Sequence, residues 1–229
     1  MPDIDTAVPI RTIIADDHPL VLLAIENLVA SLPNMRIVGR ALDSTQLFDE
    51  LERLACDVVV MDLYMPGGAC GDGLDAIRLF KARYPNVALV ILTMTTEVDV
   101  LQEAVSLGVN AVLSKRDRID LLHVAVVTAL AREFYLGPTV RALLADAKLA
   151  QRLERVRQLL SKRELEVFSY YAAGLGITEI ARQTGRSVKT ISAQKCAAMK
   201  KLSLHSDVDL YRFAIEHGLV PEDHSPAAS

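Results

Sequence analysis

Strand-like runs and helix-like stretches alternate five times over the first 130 residues, and this constrains the fold more than any other feature of the 229-residue chain. The runs are Thr12 to Ala15, Arg36 to Ala41, Asp57 to Met61, Ala88 to Leu92 and Ala111 to Leu113. Between and after them, apolar residues recur at helical spacing near Leu20 to Ser31, Thr45 to Leu54, Leu74 to Arg83, Val98 to Leu107 and Ile119 to Leu130. Alternation at this spacing requires right-handed crossovers and a parallel sheet covered on both faces. Runs such as Val58-Val59-Val60-Met61 and Val90-Ile91-Leu92 lack polar alternation, as buried parallel strands do.

Charge appears where the runs stop. Asp16 and Asp17 follow the first, Asp62 closes the third, Thr93 ends the fourth, and Lys115 follows the fifth with one serine between. In a parallel sheet these ends share an edge, the one at which open α/β sheets bind ligands, and a flavodoxin-like order of 2-1-3-4-5 puts the first and third strands side by side. Carboxylates gathered there repel one another unless a cation sits among them, and a small oxygen-seeking divalent ion, magnesium, is the natural candidate. Such an ion also binds phosphate oxygens, so the site suits delivery of a phosphoryl group to a carboxylate nucleophile. Asp62 is best placed for that role, forming an acyl phosphate. Lys115 would then neutralise the added charge and Thr93 would offer a hydroxyl. Taken singly, an Asp after a strand is as readily a helix cap, and Asp17 before His18-Pro19 fits that pattern. It is the concurrence at four strand ends that argues for a site. His18 stays unassigned, and Gly71-Asp72-Gly73, with no Gly-Lys-Ser/Thr nearby, is a loop and not a nucleotide cradle.

Charge also divides the chain. Residues 1 to 130 hold 10 Lys and Arg against 18 Asp and Glu, whereas residues 155 to 205 hold 10 against 3. An acidic domain joined to one that meets polyanions is the expectation. After Gly137-Pro138, apolar residues from Val140 to Leu160 recur at helical spacing with Arg and Lys between them, as in an amphipathic connecting helix or helix pair. Ser161-Lys162-Arg163-Glu164 is a capping box ahead of a helix. A short helix from Thr178 to Thr184, the turn Gly185-Arg186-Ser187 and a longer helix to about Leu202 make a helix-turn-helix signature. The boundaries read as 1–130, a helical linker over 131–155, a DNA-binding domain over 156–221 and a flexible tail over 222–229. No stretch approaches the roughly 18 apolar residues of a membrane span. The N-terminal residues lack the form of a signal peptide, and three cysteines without Cys-x-x-Cys spacing fit a reducing cytoplasm.

Ile13-Ile14-Ala15-Asp16-Asp17-His18-Pro19, Asp62-Leu63-Tyr64-Met65-Pro66-Gly67, Leu92-Thr93 and Lys115 together resemble the receiver domain of two-component response regulators. Thr178-Glu179-Ile180-Ala181 and Ser187-Val188-Lys189-Thr190-Ile191 resemble the helix-turn-helix of their NarL/LuxR (FixJ) group, and the lengthened Pro66 to Gly73 loop is similar to that of its capsule-regulator branch. The resemblance implies that Asp62 is the phosphoacceptor. Asp17, Asp62 and the Tyr64 carbonyl would be direct magnesium ligands, Asp16 a ligand through water, and Thr93 and Lys115 readers of the phosphate. It implies a cognate histidine kinase or phosphotransfer protein, a homodimer or a heterodimer with auxiliary regulators, and no turnover enzyme. In the second helix, Lys189, Lys195 and Lys200 are expected on DNA phosphates, with Thr190, Ser192, Ala193 and Cys196 also facing DNA. Val112 departs from the pattern, since receivers usually carry an aromatic switch residue three positions before the Lys. It leaves open a regulator that acts largely unphosphorylated through partner subunits. An aspartyl-phosphate phosphatase would need a second Asp where Leu63-Tyr64 stand.

Overall fold

The computed structural model describes residues 9–30 and 34–219. Ser31, the end of the expected DNA-binding domain at 221 and the expected flexible tail at 222–229 lie outside the described residues. The chain falls into two units that divide between Leu144 and Ala145.

The first unit runs β1 (Ile10–Ala15), α1 (Pro19–Ala30), β2 (Met35–Ala41), α2 (Ser44–Arg53), β3 (Val58–Asp62), α3 (Leu74–Arg83), β4 (Ala88–Thr93), α4 (Val98–Ser106), β5 (Ala111–Ser114) and α5 (Leu121–Leu130). The strands are parallel in the flavodoxin-like order β2-β1-β3-β4-β5, which sets β1 beside β3 as the carboxylate placement required. Helices lie on both faces. Leu47, Phe48, Ile77, Phe80 and Leu101 of α2 to α4 pack with Ile13, Val59 and Ile91, while Leu22 and Ile25 of α1 join Leu122 and Val126 of α5 over Ile14, Val60 and Val90. Alternate residues of each central strand therefore enter opposite cores, which is why these strands read as unbroken apolar runs.

A sixth strand, β6 (Tyr135–Leu136), pairs with β5 and corrects the expected five-stranded sheet. Two residues are too few to show a period, and β6 forms because β5 offers an open edge. The Gly137 N–H extends the pairing by donating to the Val112 carbonyl at 2.9 Å. A single helix, α6 (Pro138–Leu159), follows, with Pro138 at its first position. Val140 is buried in the core of the first unit, so the stretch read as linker from residue 131 supplies that unit with a strand and a helical turn.

The second unit continues from α6 through α7 (Lys162–Ala172), α8 (Ile177–Thr184), α9 (Val188–Lys201) and α10 (Asp207–Glu216). Val156, Phe168, Ala198 and Leu210 form one apolar cluster, and Val167, Ile180 and Ile191 another. The capping box expected at Ser161 and Glu164 is present. Gly185 ends α8 at φ 65°, a left-handed conformation that a side chain would oppose, and Ser187 then caps α9 by accepting the Thr190 N–H at 3.1 Å. Among the described residues no helix is long and apolar enough to cross a membrane.

Candidate functional site

Register builds the site. Ala15 lies opposite Met61, Asp62 opposite Leu92, and Thr93 opposite Ser114, so the residues that end β1, β3, β4 and β5 emerge along one edge. Asp17, His18, Asp62, Tyr64, Thr93 and Lys115 line a cleft of about 430 Å³ there, with Asp16 buried beneath. The Lys115 ammonium sits 2.6 Å from Asp16 Oδ2 and 2.6 Å from Asp62 Oδ2. Its backbone N–H donates to the Thr93 carbonyl at 2.8 Å, which fixes where the side chain starts. Thr93 Oγ accepts the Thr95 N–H at 3.1 Å and leaves its own proton for another partner.

Burial pushes the Asp62 carboxyl above the usual carboxylate range, against the pull of Lys115 and together with repulsion from Asp16. Burial works against the Lys115 ammonium too, but its contacts with the two carboxylates outweigh this and raise its pKa. Three carboxylates and one ammonium carry about two net negative charges, which a divalent cation would balance. Ligand atoms of Asp16, Asp17, His18 and Asp62 lie within 4.8 Å of one another. Asp16 Oδ2 and Asp17 Oδ1 face the Lys115 ammonium and the His18 ring, and three converging carboxylates make an oxygen-rich donor set that fits a hard divalent ion such as magnesium. His18, left unassigned from sequence, places Nδ1 2.6 Å from Asp17 Oδ1. Its adjacency to the acidic pair was the only sequence signal.

In the second unit, Lys189, Ala193, Cys196 and Lys200 form one exposed stripe along α9, with Thr190 exposed beside it and Ser192 half-buried. The spacing of four, three and four residues keeps them on one face. Lys195 is on the other. It is buried, with Nζ 2.6 Å from Asp207 Oδ1 and 3.8 Å from the centre of the Tyr171 ring, and the Tyr171 hydroxyl donates to Asp207 Oδ2 at 3.2 Å. Burial opposes its charge, but Asp207 and Tyr171 outweigh that and raise its pKa. The expectation that Lys195 meets DNA phosphates is corrected by this closed triad, which already satisfies its ammonium.

A parallel sheet with a carboxylate-rich edge, followed by a helix-turn-helix unit, defines a receiver joined to a DNA-binding module, and the chain belongs to the response regulators with a luxR-type domain. Residues 12–127 match the response regulator receiver domain, and residues 158–214 match the luxR family of bacterial regulatory proteins. The transcriptional regulatory protein RcsB of Escherichia coli K12 is 32% identical over 213 residues, which cover 93% of this chain and 97% of that protein. The fimbriae Z protein of Salmonella typhimurium is 30% identical over 212 residues, 93% and 99% of the two chains. A solved Salmonella typhimurium RcsB matches with a TM-score of 0.61 at 31% identity, over 91% of this chain and 99% of that one. An RcsB–DNA complex matches at 0.58 and 32%, over 91% and 98%, and another solved structure contains two RcsB dimers on two parallel DNAs. RcsB, the name that most of these relatives carry, is the branch to which the Pro66 to Gly73 loop pointed.

Proposed function

We propose that Asp62 accepts a phosphoryl group from a cognate histidine kinase or phosphotransfer protein, and that the chain then acts on DNA through α9 as a transcriptional regulator. The observation that carries this is the Lys115 ammonium held 2.6 Å from both Asp16 and Asp62 at the shared strand edge. An Asp62 oxygen attacks phosphorus, the bond from phosphorus to the donor atom breaks, and its electron pair leaves with the donor. Asp17, Asp62 and the Tyr64 carbonyl, with Asp16 through water, would hold a magnesium ion, which would supply charge neutralisation on the phosphoryl oxygens. The product adds about −1.5 to −2 charges at Asp62. Lys115 releases its present partners to meet that charge, and the Thr93 hydroxyl donates to a phosphoryl oxygen.

On DNA, Lys189 and Lys200 contact phosphates while Thr190, Ser192, Ala193 and Cys196 face the groove, the docking expected of a recognition helix. RcsB binds DNA as dimers, which supports a homodimer here or a heterodimer with an auxiliary regulator. The test is labelling by acetyl phosphate with magnesium, in the parent chain and in Asp62→Ala, alongside DNA affinity and oligomeric mass. Loss of label in Asp62→Ala is expected; undiminished label would remove the site. A second reading, a regulator that works unphosphorylated through partner subunits, draws support from Val112, which is fully buried in β5 and has no ring to swing. Unchanged promoter output from Asp62→Ala would favour it.

A further inference from the structure

Asp117 lies two residues beyond Lys115, and its carboxylate is shared between two structural elements. Oδ2 accepts the Ser114 N–H at 3.0 Å, and the Asp117 N–H returns to the Ser114 carbonyl at 2.9 Å, which closes a tight turn around Lys115. Oδ1 accepts the Thr139 N–H at 3.1 Å and the Thr139 hydroxyl at 2.6 Å. Thr139 is the second residue of α6, so its N–H is one of the amides a helix leaves without an internal partner. Asp117 therefore caps α6 from outside the helix, with a negative charge where the helix dipole favours one. The glycine before the helix belongs to the same device: a Cβ at Gly137 would overlap Asp117 Oδ2 and approach the Leu113 Cα to 3.2 Å.

The turn and the cap are mechanically one. Lys115 lies inside the Ser114 to Asp117 turn, so any shift of its backbone as it turns from Asp16 to a phosphoryl group on Asp62 would load that turn, whose carboxylate also holds Thr139. Helix α6 begins in the first unit and its residues from Ala145 onward belong to the second. We propose that Asp117 is a positioning residue that relays the state of Lys115 to the N-terminus of α6, so that phosphorylation alters how firmly α6 is capped. The relay rests on the reading of Asp62 as phosphoacceptor.

The test uses the full chain with two substitutions, isosteric Asp117→Asn, which replaces one acceptor oxygen by an amide donor, and Gly137→Ala, which displaces the carboxylate while leaving the acid in place. Labelling of Asp62 by acetyl phosphate, amide exchange at Thr139 and Val140 with and without beryllofluoride, and DNA affinity before and after phosphorylation are measured in each. Both variants should label to the parental extent, exchange at Thr139 about tenfold faster before phosphorylation, and lose the beryllofluoride-dependent change in exchange. Their phosphorylation-dependent change in DNA affinity should shrink by about fivefold or more while affinity before phosphorylation stays close to parental. A purely structural contact would move the unphosphorylated affinity and leave that ratio alone. Retention of the parental ratio in both labelled variants overturns the relay, and so does loss of labelling, which would put Asp117 in the phosphoryl site itself. A parent chain that labels but whose DNA affinity does not respond also overturns it. A parent chain that fails to label refutes the Asp62 reading instead, before any substitution is considered, and the relay falls with it.

Discussion

Lys195→Met separates a lysine that holds the recognition helix from one that touches DNA. Methionine keeps the apolar stem and removes the ammonium, so the substitution abolishes the ion pair with Asp207 and the cation's seat over the Tyr171 ring. Because the Asp207 side chain is 53% exposed, the abandoned carboxylate is re-solvated, and the ion pair counts for up to about 1 kcal/mol rather than the penalty of a stranded buried charge. A largely desolvated cation over a tyrosine ring adds about 1 to 2 kcal/mol. The sum, about 2 kcal/mol, should emerge as an equal drop in the opening free energy of protected α9 amides such as Ile191, read by native-state hydrogen exchange. The dependence of DNA affinity on salt should keep its slope, since Lys195 neutralises no phosphate. Lys189→Met should do the reverse, leaving α9 exchange unchanged and lowering the slope by about 0.9. Unchanged exchange in Lys195→Met together with a slope lowered by about one unit would refute the argument and return Lys195 to the groove.

Gly185→Ala should destabilise the second unit by about 1 kcal/mol, because φ 65° opposes a side chain although the Cβ itself meets nothing, and Gly185→Asn should cost less; urea titration resolving no loss for alanine would contradict this. Glu164 is held at a pKa of about 2 against an ordinary 4.5, first by Lys201 and then by the Ser161 backbone N–H. Since the folded value is the lower, its contribution is present above pH 4.5 and is lost as pH falls toward 2; helical content followed over that range should show the second unit weakening, and Lys201→Ala should shrink the effect. Lys115→Met should still accept label at Asp62 but lose the phosphorylation-dependent change in DNA affinity, and a variant that responds like the parent would remove Lys115 as the reader of the phosphate.

The parts of this molecule that are legible in its sequence are those decided by short-range pattern. Val58 to Met61 can only be a doubly buried strand, and once the strands are parallel the positions of Asp16, Asp17, Asp62 and Lys115 follow from where each apolar run stops. The Ser161 capping box and the Gly185 turn are equally local. Lys195 is misplaced by sequence reasoning because its destination depends on Tyr171 and Asp207, residues of two other helices, and only the packed bundle brings them to it. By spacing alone it is one more cation on a basic helix. Asp117 is hidden for the same reason, since its partner Thr139 lies across the β5 edge, and β6 because its two residues exist as a strand only beside β5.

That short sixth strand bears on solubility. A parallel sheet is open at both margins, and an exposed strand margin invites unlimited stacking with other chains. On one side the sheet ends in Tyr135 and Leu136 and is followed at once by Pro138, which has no N–H to offer an incoming strand. On the other it ends in β2, where Arg36 and Arg40 are exposed, the second paired with Glu26, so charged side chains line that margin. Association through the sheet is thereby discouraged at both margins, so a chain whose family works by pairing is left to pair through side chains and helices, where partner and stoichiometry can be specified, and not through backbone, where they cannot.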